Sequence, residues 1–384
     1  MKILVISHTY ITRVNREKWK VLSKLYDDVE LKVIFPTRWP THLFDHKVKK
    51  INGEDFKNCH FLALPAFNVG NEVAYGYFPR AFFYMMKDFR PDVVHVEQGD
   101  NALSYFQSIL TAKILRINAK FLFFTWVNWE AHFSLKYCLF WKWIEKVNRF
   151  FSVGAIVGNQ DAKKILQKKG FEKNVTVLPQ LGVDSRLFVP AKQTKFNENQ
   201  QNKYVCFVGR IVEEKGIKLL IDVFAKLSKL FPSWRLMFIG NGPYRKQLID
   251  RVISYNILDR VKFKDPVAHS GVVKLLQHMD ILVLPSFDTS NWKEQFGHVL
   301  IEAMACGVPV IGSSGGEIPN VIDKAGLVFE QKNEEELKKC LQKLMKDATL
   351  REKLRKDGCR RVLQNYTHDI IARKTYMFWK KMLG

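Results

Sequence analysis

The sequence of 384 residues has few acidic side chains, no paired cysteines and no long apolar runs. It contains 38 Asp and Glu against 61 Lys and Arg, which gives a formal net charge of +23. The six cysteines form no CxxC pair, which argues against a zinc ribbon or a disulfide scaffold and favours a reducing compartment. Because 47% of the residues are apolar, the composition also excludes a disordered chain.

No stretch reaches the roughly 20 apolar residues that a transmembrane helix needs. The most apolar segment, residues 121–129, contains Asn128 and is followed by Glu130. The first residues, MKILVIS, lack the apolar core and the cleavage site of a signal peptide. We therefore expect a cytoplasmic protein. Its positive charge favours an anionic partner, which can be nucleic acid, a membrane surface or a phosphorylated ligand. The alternative is that the basic side chains form a solvated surface without a partner.

Short apolar strands alternate with helical patterns along both halves of the chain, which predicts an α/β fold with two parallel, doubly wound sheets. We assign residues 1–185 to a first Rossmann-like domain, 186–203 to a linker, 204–365 to a second Rossmann-like domain, and 366–384 to a helix that packs back on the first domain. Ligands bind beyond the carboxyl ends of such strands, so we expect the site in the cleft between the domains. The strands are expected at 2–7, 30–36, 91–97, 120–126, 153–158, 174–179, 204–210, 235–240, 261–266, 280–286 and 308–313.

The strongest motif is EQFGHVLIEAMACGVPVIGSSGG, which covers residues 294–316. Glu294 precedes a helix that is predicted to begin near Gly297, and Glu302 lies on its second turn. A helix N-terminus favours phosphate, and the two carboxylates can accept hydrogen bonds from vicinal hydroxyls. This combination fits a sugar nucleotide; the alternative is a solvated helix beside an unrelated glutamate.

A second motif, VGRIVEEKG, places two cations where a strand ends. Gly209 permits a close approach of the backbone, Arg210 follows it, and Lys215 precedes the next helix. Two cations at the carboxyl end of a strand can neutralise a diphosphate leaving group, although such residues also face water in ordinary loops.

Together these motifs resemble those of the retaining GT-B glycosyltransferases of the group 1 class, glycosyltransferase family four. The resemblance implies an α/β GT-B fold, in which two doubly wound Rossmann-like domains face each other across a cleft. It is specific in the second half of the chain and loose in the first. The matching segments are 179–188, 209–216, 240–243, 261–267, 284–286, 294–302 and 313–319.

The resemblance also implies roles for individual residues. Arg210 and Lys215 would hold the donor diphosphate during catalysis, and Glu294 would contact the donor sugar. Val267 would present its backbone to the nucleobase, and Glu302 would bind the ribose. The implied donor-binding positions are Gly209, Gly240, Gly242, Val267, Phe296, Gly297 and Glu302. The substrates implied are a UDP- or GDP-sugar donor and a glycan or lipid-linked acceptor, with no metal and no other cofactor.

The first half departs from the family pattern in two places. Many relatives have a glycine-rich loop after the first strand, whereas residues 7–18 contain no glycine. Arg13 and Asn15 are candidates there for contacts with phosphate or with the acceptor. Many relatives also have a histidine after the fourth strand. The candidates for its replacement are Trp126, Asn128 and His132, and the sequence leaves the choice open.

A membrane-facing surface is expected in the segment 133–151, which is rich in Phe and Trp. Lys142, Lys146 and Arg149 recur there at helical spacing, and an apolar face edged by cations can lie in a membrane interface. The alternative is a buried core helix with one wet face. We expect peripheral association with the inner face of the cytoplasmic membrane.

The motifs and the resemblance favour a hexosyltransferase that acts in the synthesis of a cell-surface polysaccharide or glycolipid. A non-hydrolysing UDP-sugar epimerase of the same fold is the nearest enzymatic alternative, and the paired motifs favour the transferase. A basic nucleic-acid-binding protein is the alternative from another class. The sequence has no RRM, zinc-finger or helix-turn-helix signature, so we expect no nucleic-acid partner.

Overall fold

A computed structural model describes residues 1–40, 48–50, 52–129, 135–191 and 202–384. These residues divide into two compact units. The first unit comprises Met1–Leu181 together with His368–Gly384, and the second comprises Gly182–Thr367. Most of the predicted linker, residues 192–201, lies outside the described residues.

The first unit is built on a mixed sheet of eight strands in the order β12-β11-β10-β9-β1-β2-β6-β5. All neighbours in this sheet are parallel except β5 and β6, and two short antiparallel pairs, β3 with β4 and β7 with β8, lie outside it. The strands of this unit are β1 Lys2–Ile6, β2 Glu30–Pro36, β3 Arg38–Pro40, β4 Val48–Lys50, β5 Glu54–Phe56, β6 Cys59–Leu64, β7 Ala66–Phe67, β8 Gly76–Tyr77, β9 Val93–Val96, β10 Lys120–Thr125, β11 Ser152–Val157 and β12 Asn174–Val177.

Helices cover the first sheet on both faces, which explains why central strands such as β1 and β9 are largely apolar. In β1, Leu4 and Ile6 enter one apolar cluster while Ile3 and Val5 enter another, because successive side chains of a strand point to opposite faces. The helices of this unit are α1 Glu17–Leu25, α2 Pro79–Phe89, α3 Leu103–Ile114, α4 Leu135–Phe151, α5 Gln160–Lys168 and the C-terminal α13 His368–Leu383.

The C-terminal helix α13 completes the core of the first unit. The indole of Trp379 stacks on that of Trp19, with ring centres 5.5 Å apart, and donates a hydrogen bond of 3.3 Å to His95 Nδ1. Burial lowers the pKa of His95 to about 4, so this histidine is neutral and structural. The helix therefore returns the end of the chain to the sheet that the first residues form.

The second unit contains a parallel sheet of six strands in the order β15-β14-β13-β16-β17-β18. Its strands are β13 Lys203–Val208, β14 Trp234–Ile239, β15 Val261–Lys264, β16 Ile281–Leu284, β17 Val310–Ser313 and β18 Leu327–Phe329. Its helices are α6 Ile217–Ser228, α7 Arg245–Ser254, α8 His269–Leu276, α9 His298–Ala305, α10 Ile318–Ile322, α11 Glu334–Lys346 and α12 Ala348–Asn365. The α/β class with two doubly wound sheets is confirmed.

Within the part of the chain that the structure describes, no helix combines the length and the apolar character that crossing a bilayer requires.

Candidate active site

The carboxyl ends of three strands lie side by side at one edge of the second sheet. Strand β13 is hydrogen-bonded to both β14 and β16, and all three are parallel. Gly209 and Arg210 follow β13, Gly240 follows β14, and Ser286 lies two residues beyond β16. Ligands of open α/β sheets bind beyond this edge, so the fold brings the predicted donor motifs to the expected side of the sheet.

The loops after β13 and β14 touch through their backbones, which only glycine permits. A Cβ on Gly240 would lie 1.9 Å from the carbonyl oxygen of Gly209, and one on Gly242 would lie 2.3 Å from that of Ile211. The φ angle of Gly240 is +146°, which side chains disfavour. The side chain of Arg210, which follows Gly209, is exposed.

Lys215 and Glu294 form an ion pair, although 79 positions separate them in the sequence. Lys215 Nζ lies 2.5 Å from Glu294 Oε2, and Ser286 Oγ donates a hydrogen bond of 2.9 Å to the same oxygen. The two charged side chains are only 14% and 10% exposed. Gly216, with φ +66°, brings the Lys215 segment against the end of β16, because a Cβ there would lie 2.0 Å from the carbonyl oxygen of Pro285. The Lys215–Glu294 pair is thus held by the segments that follow β13 and β16.

The double glycine of the SSGG segment holds the backbone of Glu294. The amide of Glu317 donates a hydrogen bond of 3.0 Å to the Glu294 carbonyl. A Cβ on Gly316 would lie 2.1 Å from that same oxygen, and the φ angle of Gly316 is +51°. This explains why the motif continues beyond α9 to residue 316.

Helix α9 begins after Gly297, whose φ of +80° suits glycine, so the helix N-terminus directly follows the loop that carries Glu294. Glu302 lies on the second turn of α9 with a side chain that is 18% exposed. Burial raises the pKa of Glu302 to about 7, and His269 Nδ1 lies 3.9 Å from its carboxylate. Burial also lowers the pKa of His298, the first residue of the helix, to about 4. Helix α9 therefore carries a carboxyl group whose pKa lies near 7 and a histidine, His298, whose pKa lies well below that.

The remaining predicted donor residues lie around this cluster. Val267 stands between β15 and α8 and is 39% exposed, so its backbone lies in an accessible loop. The ring of Phe296 is buried and meets that of Tyr366 edge-on at 5.5 Å, which fixes the loop before α9.

The predicted residues of the first unit that the structure describes differ in their burial and contacts. Arg13 is exposed in a 3₁₀ turn, Arg13–Arg16. The side-chain amide of Asn15 donates a hydrogen bond of 2.9 Å to the carbonyl of Thr9, within its own loop. Asn128 is buried after β10. His132 lies outside the described residues.

The three predicted membrane-contact cations of α4 divide into two groups. Lys142 and Lys146 are exposed. Arg149 is instead partly buried, because its guanidinium is 2.9 Å from Asp100 and also pairs with Glu145. We therefore treat Arg149 as an internal ion-pair partner rather than as a surface contact.

Two polar residues of the site had no role in the sequence analysis. Ser286 lies within the segment 284–286 that carries part of the resemblance, and His269 lies two residues beyond the segment 261–267. Their positions in or near these segments could have indicated them from the sequence. Their contacts with Glu294 and Glu302 could not have been predicted, because these contacts depend on the fold.

Comparison with solved structures defines the class of fold. Sucrose-phosphate synthase from Thermosynechococcus elongatus superposes with a TM-score of 0.73 at 20% identity, covering 100% of this chain and 99% of that one. HepE of Anabaena in complex with UDP superposes with a TM-score of 0.74 at 15% identity, covering 99% and 100%. The chain has the GT-B fold.

Sequence comparison gives a partial family match. Residues 189–361 match the glycosyl transferases group 1 family, and this range falls within the second unit. A sulfoquinovosyl transferase of Arabidopsis thaliana is 26% identical over 69% of this chain and 52% of its own length. A GDP-mannose-dependent monoacylated α-(1-6)-phosphatidylinositol monomannoside mannosyltransferase of Corynebacterium glutamicum is 28% identical over 50% and 53%. The aligned region spans about half the length of these curated relatives.

Proposed function

We propose that this chain is a retaining glycosyltransferase of family four, which transfers a hexose from a UDP- or GDP-sugar to a glycan or lipid-linked acceptor. The observation that carries the proposal is the cluster of Lys215, Glu294 and Ser286 at the carboxyl edge of the second sheet, with Arg210 on the adjacent loop. The family match supports the same reading, and relatives in glycolipid synthesis support a role in surface polysaccharide or glycolipid formation.

The cations would act on the leaving group. An ammonium has three donors, so Lys215 can keep its bond to Glu294 while it donates to a phosphate oxygen. Arg210, which is exposed, can add a bidentate contact to the same diphosphate. Charge that develops on the departing diphosphate is thereby stabilised by groups that are already in position.

The carboxylates would bind hydroxyls at the two ends of the donor. Glu294 is held by Ser286 and by the 315–317 backbone, so it can accept a hydrogen bond from the donor sugar without reorienting. The backbone amides of Phe296 and Gly297 would help Glu294 to bind the donor sugar, Glu302 would bind the ribose, and the Val267 backbone would contact the base.

The reaction would proceed by attack on the face from which the diphosphate leaves. The acceptor oxygen forms a bond with the anomeric carbon as the bond from that carbon to the phosphate oxygen breaks. The acceptor proton passes to the departing phosphate oxygen, so no dedicated base is needed. We expect no metal requirement, which an assay in the presence of a chelator tests.

Substitution of either member of the ion pair tests the assignment. We expect Lys215→Ala and Glu294→Ala each to lower the rate of transfer from the preferred nucleotide sugar by about 10²–10³-fold, because each removes a contact to the transition state. The matched controls are Lys218→Ala and Glu213→Ala, which change exposed residues nearby. Anomer analysis of the product by NMR tests retention.

Folding must be checked separately, because removal of one partner leaves a partly buried charge. Circular dichroism and thermal unfolding of each variant provide this check. Near-normal turnover of a folded Lys215 or Glu294 variant contradicts the site. Isomerised donor without transfer to any acceptor favours the epimerase instead.

We also propose peripheral association of the first unit with an anionic membrane. Helix α4 exposes Phe140, Trp143 and Phe150 on one side, and Lys142 and Lys146 edge that side at helical spacing. The ring of Phe106 contacts that of Trp143 at 5.2 Å, which places α3 next to α4. The exposed apolar residues of α3 that extend the surface are Leu110 and Ile114. We call this set the α3–α4 surface.

A further inference from the structure

The glycine-free loop after β1 brings a histidine to the carboxyl edge of the first sheet. Strand β1 pairs with both β2 and β9, so the loop begins between the ends of two neighbouring strands. His8 is the first residue of a 3₁₀ turn, His8–Ile11, and Ser7 caps this turn by accepting a hydrogen bond of 3.1 Å from the amide of Thr9. The position corresponds to the edge at which parallel sheets bind their ligands.

A buried polar network fixes this loop. Glu97, directly after β9, pairs with Lys18 at 2.8 Å and accepts a hydrogen bond from the hydroxyl of Tyr10. Gln180 donates a further bond of 3.1 Å to the Glu97 carboxylate. Glu97, Lys18 and Tyr10 are almost fully buried, so the network is a rigid support rather than a ligand site. The loop that it supports carries His8 in a defined place.

The imidazole of His8 is held by aromatic rings and by a carboxylate. It stacks on Trp39, with ring centres 4.8 Å apart and planes at 18°, and meets the edge of Tyr75 at 6.4 Å. Its Nε2 lies 3.3 Å from Glu72 Oε1. The His8 side chain is 19% exposed and that of Glu72 is 70% exposed, so the pair is accessible from solvent.

The segment that carries Glu72 is itself fixed to the sheet edge. Gln98, which follows β9 closely, donates a hydrogen bond of 3.2 Å to the Glu72 carbonyl and accepts one of 2.5 Å from the Tyr75 hydroxyl. The two members of the pair are therefore positioned by neighbouring strands, β1 through His8 and β9 through Gln98.

The tautomer of His8 follows from its surroundings. Nδ1 is buried and has no hydrogen-bond partner among the described residues. A proton on Nδ1 would be a buried donor without an acceptor, which is costly, whereas a proton on Nε2 points toward the Glu72 carboxylate. A hydroxyl that enters between the two groups can accept from the Nε2–H and donate to the exposed Glu72 carboxylate, in place of their direct contact of 3.3 Å.

We propose that His8 and Glu72 form a hydroxyl-binding subsite for the sugar or polyol acceptor. One acceptor hydroxyl would donate to the Glu72 carboxylate and accept from His8 Nε2. The motifs that we assign to the donor lie at residues 209–302, within the second unit, so we assign this edge of the first unit to the acceptor. The inference rests on the proposed glycosyltransferase function.

The test separates acceptor binding from donor chemistry. The probes are octyl glucoside, octyl galactoside and octyl mannoside, with the nucleotide sugar that the wild-type chain hydrolyses fastest. For the best glycoside, His8→Ala and Glu72→Gln should each raise the acceptor KM about tenfold, the effect of losing one hydrogen bond of about 1.4 kcal/mol. The donor KM and the acceptor-free hydrolysis rate should not change. His8→Gln, which keeps an N–H donor, should restore part of the acceptor affinity.

The first unit supplies a matched control pair. His60 Nδ1 lies 2.8 Å from Asp55 Oδ1, and this exposed pair lies on β5 and β6 rather than in a loop beyond the carboxyl edge. His60→Ala and Asp55→Asn should leave the acceptor KM unchanged.

Three outcomes overturn the inference. An unchanged acceptor KM in both His8→Ala and Glu72→Gln does so, as does a complete lack of transfer to the glycosides while donor hydrolysis remains intact. In both cases the donor chemistry, and with it the proposed function, survives. A wild-type chain that neither binds nor hydrolyses any nucleotide sugar overturns the proposed function and this inference together.

Discussion

Glu302 is the residue whose ionisation responds most directly to neutral pH. Burial raises its pKa from 4.5 to about 7, so the folded chain binds a proton that the unfolded chain releases between these two values. Because the folded chain binds this proton more tightly, protonated Glu302 adds to the free energy of unfolding. This contribution is complete below about pH 4.5 and is lost as the pH rises through about 7.

We expect the free energy of unfolding to fall by on the order of 3 kcal/mol across this window through Glu302 alone. Glu302→Gln should remove that fall, because the amide carries no charge at either pH. Urea unfolding of the wild type and of Glu302→Gln at pH 5 and pH 8 measures this change in the free energy of unfolding. The control is Glu335→Gln, because Glu335 is an exposed glutamate on α11. Equal pH dependence in the wild type and in Glu302→Gln contradicts the burial argument.

The residues of the ion pair show what the sequence can and cannot predict. Motif spacing identified Lys215 and Glu294 separately, because each follows a recognisable strand or precedes a helix. Their mutual contact at 2.5 Å was not predictable, since it depends on β13 and β16 being neighbours in the sheet. Periodicity also gave no indication of the His8–Glu72 pair, because both residues lie in loops.

At the scale of elements, the contact between the β13 and β14 loops depends on Gly240. A methyl group there would overlap the Gly209 carbonyl oxygen, 1.9 Å away, on a backbone with φ +146°. We expect Gly240→Ala to destabilise the second unit by several kcal/mol and to abolish transfer, since Arg210 would move with its loop.

The control for this substitution is Gly170→Ala. Gly170 has a positive φ of +74°, but a Cβ added to it would have no other atom within 4 Å, so only backbone strain of about 1–2 kcal/mol applies. Chemical denaturation of both variants measures the difference. Equal loss of stability would show that strain alone, and not the contact of the loops, explains the cost.

Apolar runs explain which strands were predicted from the sequence, although the six-residue strand β6 was also missed. Strands such as β1 and β10 are buried on both faces, so their apolar runs identified them from the sequence. The short strands β3, β4, β7 and β8 were not predicted, because two or three residues cannot establish an alternating pattern. Strand β5 was missed for the same reason, although it caps the edge of the large sheet.

At the scale of the whole molecule, the net charge of +23 is the dominant feature. An anionic leaflet attracts basic segments by about 1 kcal/mol for each Lys or Arg near its surface. Charge alone would bind the chain in many orientations. The α3–α4 surface adds apolar contact to the cations in one place, with Trp143 52% and Phe150 73% exposed.

We therefore expect the chain to float with vesicles that contain 30 mol% phosphatidylglycerol, and to be released as salt screens the attraction. Lys142→Gln with Lys146→Gln should weaken binding roughly thirtyfold, because two favourable contributions of about 1 kcal/mol each are lost. The matched control is Lys353→Gln with Lys356→Gln, which removes the same charge from exposed positions on α12. If both doubly substituted chains bind the vesicles equally well, the net charge attracts the membrane without a preferred surface, which contradicts a role for the α3–α4 surface. A wild-type chain that stays at the bottom of the gradient at low salt contradicts membrane association altogether.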